Sequence, residues 1–217
     1  CRDPGVISDI GPIRVNTGTR RLSKKNRSTR GSPSGRLRIV AGKWRSRLLP
    51  VADEPGLRPT AERIRETLFN WLAPVIDGAD CLDLFAGTGA LGLEALSRGA
   101  NSAVFVECAR KAVLRLRGSI RELDADNAVV HEADALAWLR QEGGGAFDIV
   151  FLDPPFAADH YEELCRLLAD RHWLAAGALV YLEQDIDQLV PDLPAGWEIL
   201  REKTAGNVRY SLIKTAS

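Results

Sequence analysis

The chain has 217 residues, 45% of them hydrophobic, with 29 basic and 29 acidic residues, which suits one globular domain with an appendage. No apolar run approaches the ~18 residues needed to cross a bilayer, and the start lacks the apolar segment of a secretory signal, so no membrane association is expected. Cys1, Cys81, Cys108 and Cys165 are scattered among only three histidines, which argues against a disulfide framework or a metal site and makes a reducing cytoplasm the expected compartment.

The zero net charge divides unevenly along the chain. Residues 1–50 hold 13 of the 29 basic and 2 of the 29 acidic residues, so +11 there balances −11 over residues 51–217. A basic arm on an acidic body suggests a polyanionic partner. Residues 1–33 mix Arg, Lys, Ser, Thr and Gly without periodicity and read as a disordered basic tail. Residues 34–55 read as a β-hairpin, because Arg36–Ala41 and Trp44–Leu49 flank Gly42-Lys43. It displays Arg36, Arg38, Lys43, Arg45 and Arg47 as candidate RNA contacts, with Trp44 beside them. Strand alternation puts Arg36 with Arg38, and Arg45 with Arg47, each pair on one face. Leu37, Ile39 and Leu48 are then left for packing.

Residues 56–217 read as the main domain. Pro55-Gly56 and Arg58-Pro59 mark a turn, and Thr60 is a candidate N-cap for a helix over 61–72 whose stripe is Ile64, Leu68 and Leu72. From Asp80 strand-like and helical runs alternate: 81–85, helix 90–98, 103–107, helix 109–123, 128–131, helix 134–140, 147–152, helix 159–170, and 178–183. That alternation predicts an α/β fold with a doubly wound, mostly parallel sheet. Trp197–Lys203 and Val208–Lys214, joined at Ala205-Gly206-Asn207, read as a terminal antiparallel hairpin.

Two turns in this domain carry chemistry. The first follows Cys81–Phe85, an apolar run broken only by Asp83, and holds Gly87, Gly89 and Gly92 before a helix opens at Ala90. Glycine there permits positive φ and close approach of a ligand, and the new helix offers N–H donors to an anion. The spacing is formally G-x-G-x-x-G with Glu107 twenty residues beyond Gly87, so on these facts alone a dinucleotide site fits. The second turn, Asp153-Pro154-Pro155-Phe156, leaves the strand 147–152 at its carboxyl end, the edge where open α/β sheets bind ligands. Consecutive prolines stiffen it. Asp153 and the Pro154 carbonyl can accept the two hydrogens of an exocyclic amine while Phe156 stacks on the planar group that bears it.

The D-x-F-A-G-T-G loop, Glu107 closing strand two, Asp134 after strand three and D-P-P-F after strand four resemble class I S-adenosylmethionine-dependent amino-methyltransferases. Arg38–Arg45, Gly56–Thr60, Arg63–Leu72 and Gly89–Gly99 are closer still, being similar to the bacterial RsmD family, the 16S ribosomal RNA guanine(966)-N2 methyltransferases. The resemblance runs from about Arg36 to Lys214; Ser46 stands where that family's hairpin commonly has glycine.

It implies a Rossmann-like methyltransferase sheet with S-adenosyl-L-methionine as cofactor. Asp83, Phe85, Ala86, Gly87 and Gly89 would line the methionine end, Glu107 would take the ribose hydroxyls, and Asp134 with Ala135 would border the adenine. Asp153, Pro154, Pro155 and Phe156 would hold the target guanine. The implied partner is 16S rRNA in the small ribosomal subunit, met by a cytoplasmic monomer whose N-terminal hairpin helps engage it. Three other readings stay open: a DNA adenine-N6 methyltransferase, a nicotinamide-dependent oxidoreductase, and a non-catalytic RNA-binding assembly factor.

Overall fold

Strand and helix alternate from Asp80 onward in the computed structural model, as the sequence predicts. A hairpin comes first, of β1 (Arg36–Arg38) and β2 (Leu48–Pro50), followed by α1 (Glu62–Leu72). The main repeat then runs β3 (Asp80–Asp83), α2 (Ala90–Ser97), β4 (Ser102–Glu107), α3 (Arg110–Glu122), β5 (Ala128–Glu132) and α4 (Ala135–Leu139). It continues with β6 (Phe147–Leu152), α5 (Tyr161–Asp170), β7 (Leu174–Asp185), β8 (Glu198–Ala205) and β9 (Val208–Lys214). The structure describes residues 36–50, 62–141, 143, 145–155 and 160–216. The expected basic tail, the turns around Pro55 and Pro59, the Thr60 cap and Phe156 lie outside them. Among the described residues no helix is long and apolar enough to cross a membrane.

The seven main strands form one sheet in the order β5-β4-β3-β6-β7-β9-β8, parallel from β5 through β7 and antiparallel in the last three. The chain winds outward from β3 through β4 to β5, then returns to place β6 on the other side of β3. This makes the gap between β3 and β6 the switch point of the sheet, where a crevice opens at the carboxyl ends of the strands. β9 inserts between β7 and β8, so the terminal hairpin closes the far edge, turning at Gly206 with φ 59°.

Side-chain alternation divides the core in two. Cys81, Phe105, Ile149, Phe151, Tyr181 and Leu212 point to the face covered by α1 and α2 with the hairpin. Leu82, Val106, Val150, Leu152, Leu182 and Ile213 point to the face that holds α4 and α5. A sheet buried on both faces is what the continuous apolar runs require. In α1, Ile64, Leu68, Leu72 and Phe69 are buried as their spacing demands, while Arg63, Glu66 and Asn70 are exposed.

The N-terminal hairpin departs from expectation in its extent. Its strands are three residues each, in register Arg36↔Pro50, Leu37↔Leu49 and Arg38↔Leu48, so Lys43, Arg45 and Arg47 sit in the connection and not on a strand. Ile39 still pairs across the hairpin, its N–H donating to the Arg47 carbonyl at 3.0 Å and its carbonyl accepting the Ser46 N–H at 2.9 Å, and beyond it helix α2 takes up the backbone donors. The Glu94 carboxylate accepts the N–H of Val40 (2.8 Å) and of Ala41 (3.0 Å), and Ser97 accepts those of Lys43 and Trp44 at its carbonyl and hydroxyl. The register sets the packing partner: Leu49, opposite the buried Leu37, is 1% exposed, and Leu48, expected inside, is 48% exposed. Trp44 packs into the core of the main domain, which removes it as a platform for a nucleobase. Ser46 adopts the left-handed φ of 67° that glycine would supply in its place.

Candidate active site

Four carboxylates gather at the carboxyl edge of the sheet, and strand periodicity puts them on one face. Asp83, Glu107, Asp153 and Glu183 each follow by two positions a core residue of the α1–α2 face: Cys81, Phe105, Phe151 and Tyr181. Two residues along a strand restore the side-chain direction. Their heights differ, because Asp83 pairs across the ladder with both Phe105 and Phe151. Asp83 therefore lies one pleat repeat below Glu107 and Asp153, and Phe85 of the glycine turn packs against the core of the α4–α5 face.

The Leu84 N–H donates to the Phe151 carbonyl at 3.2 Å, which holds the exit of β3 against the exit of β6. The glycine turn and the Asp153-Pro154-Pro155 turn are thereby neighbours at the switch point. Pro154 is buried, Asp153 partly so, and Pro155 is exposed; Phe156, the fourth member of the motif, lies outside the described residues.

Within the glycine turn Gly87 and Gly89 have φ 51° and 79°, as a turn from strand to helix demands of its glycines. The N–H groups of its three glycines are already engaged. Gly87 donates to Glu107 Oε2 at 2.8 Å, Gly92 to Asp83 Oδ2 at 3.0 Å and Gly89 to the Ala86 carbonyl at 2.6 Å. Two of the donors that the sequence offers to an anion thus serve the protein's own carboxylates. A pyrophosphate would meet buried negative charge, which tells against the nicotinamide reading.

Glu107 is 9% exposed, and its Oε1 accepts the Ala109 N–H at 2.7 Å. Each of its oxygens has one backbone partner and one remaining acceptor direction, which suits a vicinal diol. Asp134 caps α4 by accepting the Ala137 N–H at 2.9 Å, with Ala135 buried beside it, just beyond the end of β5, the strand that pairs with Glu107. Burial pushes the Asp83 carboxyl up to about 7, with Asp153 and Glu107 adding to the rise and the Gly92 N–H opposing it. Burial, then Asp153, raise Glu183 to about 8, against the pull of the Tyr181 hydroxyl. An acidic edge of this kind favours a cation. No cluster among the described residues could hold a metal ion. A separate cavity of about 350 Å³ opens at the opposite edge of the sheet, beside Asp77, Asp148 and Ala178, and holds none of the site residues.

The basic candidates of the hairpin are unequal. Arg38 donates through Nε and Nη2 to Glu62 (3.3 and 2.7 Å), and Arg47 pairs with Glu122 of α3 at 3.2 Å. Lys43 Nζ lies 5.1 Å from the Trp44 ring centre. Arg36 and Arg45 are exposed and form no ion pair among the described residues. Sequence reasoning missed three features: Glu94, Glu183, and the exposed cations Arg110, Lys111, Arg115, Arg117 and Arg121 on α3. The cations were legible as charges on the outer face of an amphipathic helix. Nothing local marks the two glutamates as buried.

The family model described as Conserved hypothetical protein 95 matches residues 37–214. A ribosomal RNA small subunit methyltransferase D from Escherichia coli K12 is 52% identical over 181 residues, covering 83% of this chain and 91% of that protein. Its namesake in Haemophilus influenzae is 44% identical, with 82% and 93% covered. A solved Escherichia coli structure described as a methyltransferase, yhhF, superposes with TM-score 0.78 at 48% identity, covering 84% of this chain and 99% of that one. With the family model spanning nearly all of the sheet and the hairpin, and relatives this similar over most of their own length, the chain belongs to the RsmD family of class I methyltransferases.

Proposed function

We propose that this protein transfers a methyl group from S-adenosylmethionine to the exocyclic N2 of a guanine in 16S ribosomal RNA of the small subunit. One observation carries the reading: the Asp153-Pro154-Pro155 turn leaves β6 directly beside the glycine turn of β3, at the switch point and on the carboxyl edge. A donor site and an amine site can meet there. The names of the relatives, small-subunit ribosomal RNA methyltransferases, favour this substrate over DNA, and the basic hairpin joined to the cations of α3 suits a phosphate backbone.

The residues present fit the cofactor. Glu107 keeps two acceptor directions for the ribose hydroxyls, Asp134 and Ala135 stand at the start of α4 after the next strand for the adenine, and Asp83 beneath the glycine turn favours a cation. When bound, the cofactor supplies an electrophilic methyl group on a sulfonium that leaves as a neutral thioether. The protein deals with the other partner, an amine whose lone pair is delocalised into the purine. Hydrogen bonds from N2 to the Asp153 carboxylate and the Pro154 carbonyl localise that pair and aim it for in-line displacement, so positioning supplies much of the rate. As the N–C bond forms and the C–S bond breaks, Asp153 or solvent takes the proton that the amine loses.

The test uses labelled cofactor and small subunits from a strain lacking the modification, with the methylated base identified by nuclease digestion and mass spectrometry. N2-methylguanine from the wild type, and a rate reduced by two orders of magnitude or so in Asp153→Ala, are expected. N6-methyladenine, or full transfer by the variant, overturns the reading.

A further inference from the structure

The chemistry above gives Glu183 nothing to do, although it is 4% exposed at the reactive edge of the sheet. It follows Leu182, which pairs with Leu152 across the parallel ladder, as Tyr181 pairs with Phe151. Continuing that register by one residue sets Glu183 alongside Asp153, one strand spacing of about 5 Å away and on the same face. Its hydrogen-bond partners are neutral. The Tyr181 hydroxyl donates to Glu183 Oε2 at 2.7 Å, the Tyr161 hydroxyl of α5 donates to the Glu183 carbonyl at 3.0 Å, and Tyr210 of β9 stands opposite in register. Among the described residues no basic side chain pairs with the carboxylate, and Asp153 is the charged group beside it. Two carboxylates this close, one of them shielded from water, do not both ionise at neutral pH.

We propose that Glu183 is the positioning residue for Asp153: the two carboxyl groups share one proton, Glu183 holds it, and Asp153 is left as the charged member that receives the target amine. The inference rests on the reading of Asp153 as the amine acceptor. A charged Glu183 would push Asp153 toward taking up a proton, and the protonated acid would trade an acceptor for a donor that the amine cannot use. A neutral Glu183 avoids this, and Tyr181 fixes the orientation of its carboxyl group. The upward displacement of Glu183, caused by burial first and Asp153 second, agrees with the geometry.

The test is a carbon-13 NMR titration of the full chain with labelled Asp and Glu carboxyl carbons, alongside methyl-transfer kinetics. A carboxyl titrating near 8 is expected in the wild type and absent in Glu183→Gln. In Asp153→Asn it moves down, because the like charge is gone; in Tyr181→Phe it moves up, because the hydrogen bond to the carboxylate is gone. In kinetics, Glu183→Gln imitates the neutral acid and keeps a kcat at least roughly tenfold above that of Glu183→Ala, with similar KM for RNA. A titration unmoved by Asp153→Asn, or equal kcat in the Gln and Ala variants, overturns the proposal. If the titration shifts as expected but Asp153→Ala still methylates RNA, the shared proton stands and its use in the reaction is overturned together with the reading of Asp153.

Discussion

The Gly87 N–H donates to Glu107 Oε2 across 20 residues of sequence, tying the glycine turn after β3 to the end of β4. With Ala109 bonded to the other oxygen, the carboxylate is locked in place by two backbone donors before any ligand arrives. Glu107→Gln is informative because a carboxamide has one oxygen. Whichever N–H it accepts, its NH2 group confronts the other, and one acceptor for the ribose is lost. Charge-assisted hydrogen bonds contribute about 1.5–3 kcal/mol, so calorimetry should show cofactor affinity falling by roughly 10- to 100-fold, with a lowered Tm for the free protein.

Asp83 should make both stability and cofactor binding depend on pH. Burial raises its carboxyl from an ordinary 3.8 to about 7, so the folded chain holds this proton more tightly than the unfolded one. The resulting stability is fully present below pH 4 or so and is lost as pH rises through about 7. Asp83→Asn removes the titration while keeping an acceptor for Gly92, so its Tm relative to the wild type should rise between pH 5 and 8. A cationic cofactor favours the ionised acid. Binding should therefore release protons and tighten with pH over the same interval, as calorimetry in buffers of different ionisation heat would show. A Kd flat across this range would mean that Asp83 does not face the cation.

Much of the architecture follows from periodicity that neighbouring residues create. The alternation of Cys81 with Leu82, of Phe105 with Val106 and of Phe151 with Leu152 needs no distant partner to be read as a strand buried on both faces, and the turn at Gly206 carries its own signal. Where the outcome depends on residues far away in sequence, local pattern is silent. Glu94 lies in an apolar helix, and the capture of Val40 and Ala41, 54 and 53 residues earlier, joins its 2.7 Å ion pair with Arg98 in explaining its complete burial. The register that sets Leu49 opposite Leu37, equally invisible to local pattern, exchanges Leu48 for Leu49 in the core. Glu183 ends the run Ala178–Leu182 like any solvent-seeking acid, and its partner across the sheet is set by the β6–β7 register, which the sequence does not reveal.

Docking of the hairpin should be separable from the cofactor site. Gly42 has φ 81°, and a Cβ there would overlap the Ser97 carbonyl oxygen that accepts the Lys43 N–H. Gly42→Ala combines left-handed strain with a backbone clash and should cost about 1–3 kcal/mol. The cost falls on the packing between hairpin and α2, so RNA affinity should drop while cofactor affinity holds within a few-fold. Scanning calorimetry and filter binding on the same preparations would show this. Equal loss of both affinities would mean that α2 transmits the disturbance to its amino end at Gly89.

The ion pairs divide the hairpin cations into two groups with different salt signatures. Removing one cation that neutralises a phosphate lowers the slope of log K against log salt by roughly 0.7–0.9. Arg36 and Arg45, without ion pairs among the described residues, should together remove about 1.5 from the slope when both are changed to Ser. Arg38 and Arg47 begin neutralised by Glu62 and Glu122. Binding a phosphate there means giving up a carboxylate, which returns part of the gain, so Arg38→Ser with Arg47→Ser should change the slope by less than about 1. Binding of a 16S rRNA fragment at four or more salt concentrations distinguishes the pairs. Equal slopes would show that both ion pairs open on the RNA, freeing Glu62 and Glu122 to face solvent and making the Arg47 link to α3 a feature of the unbound protein alone.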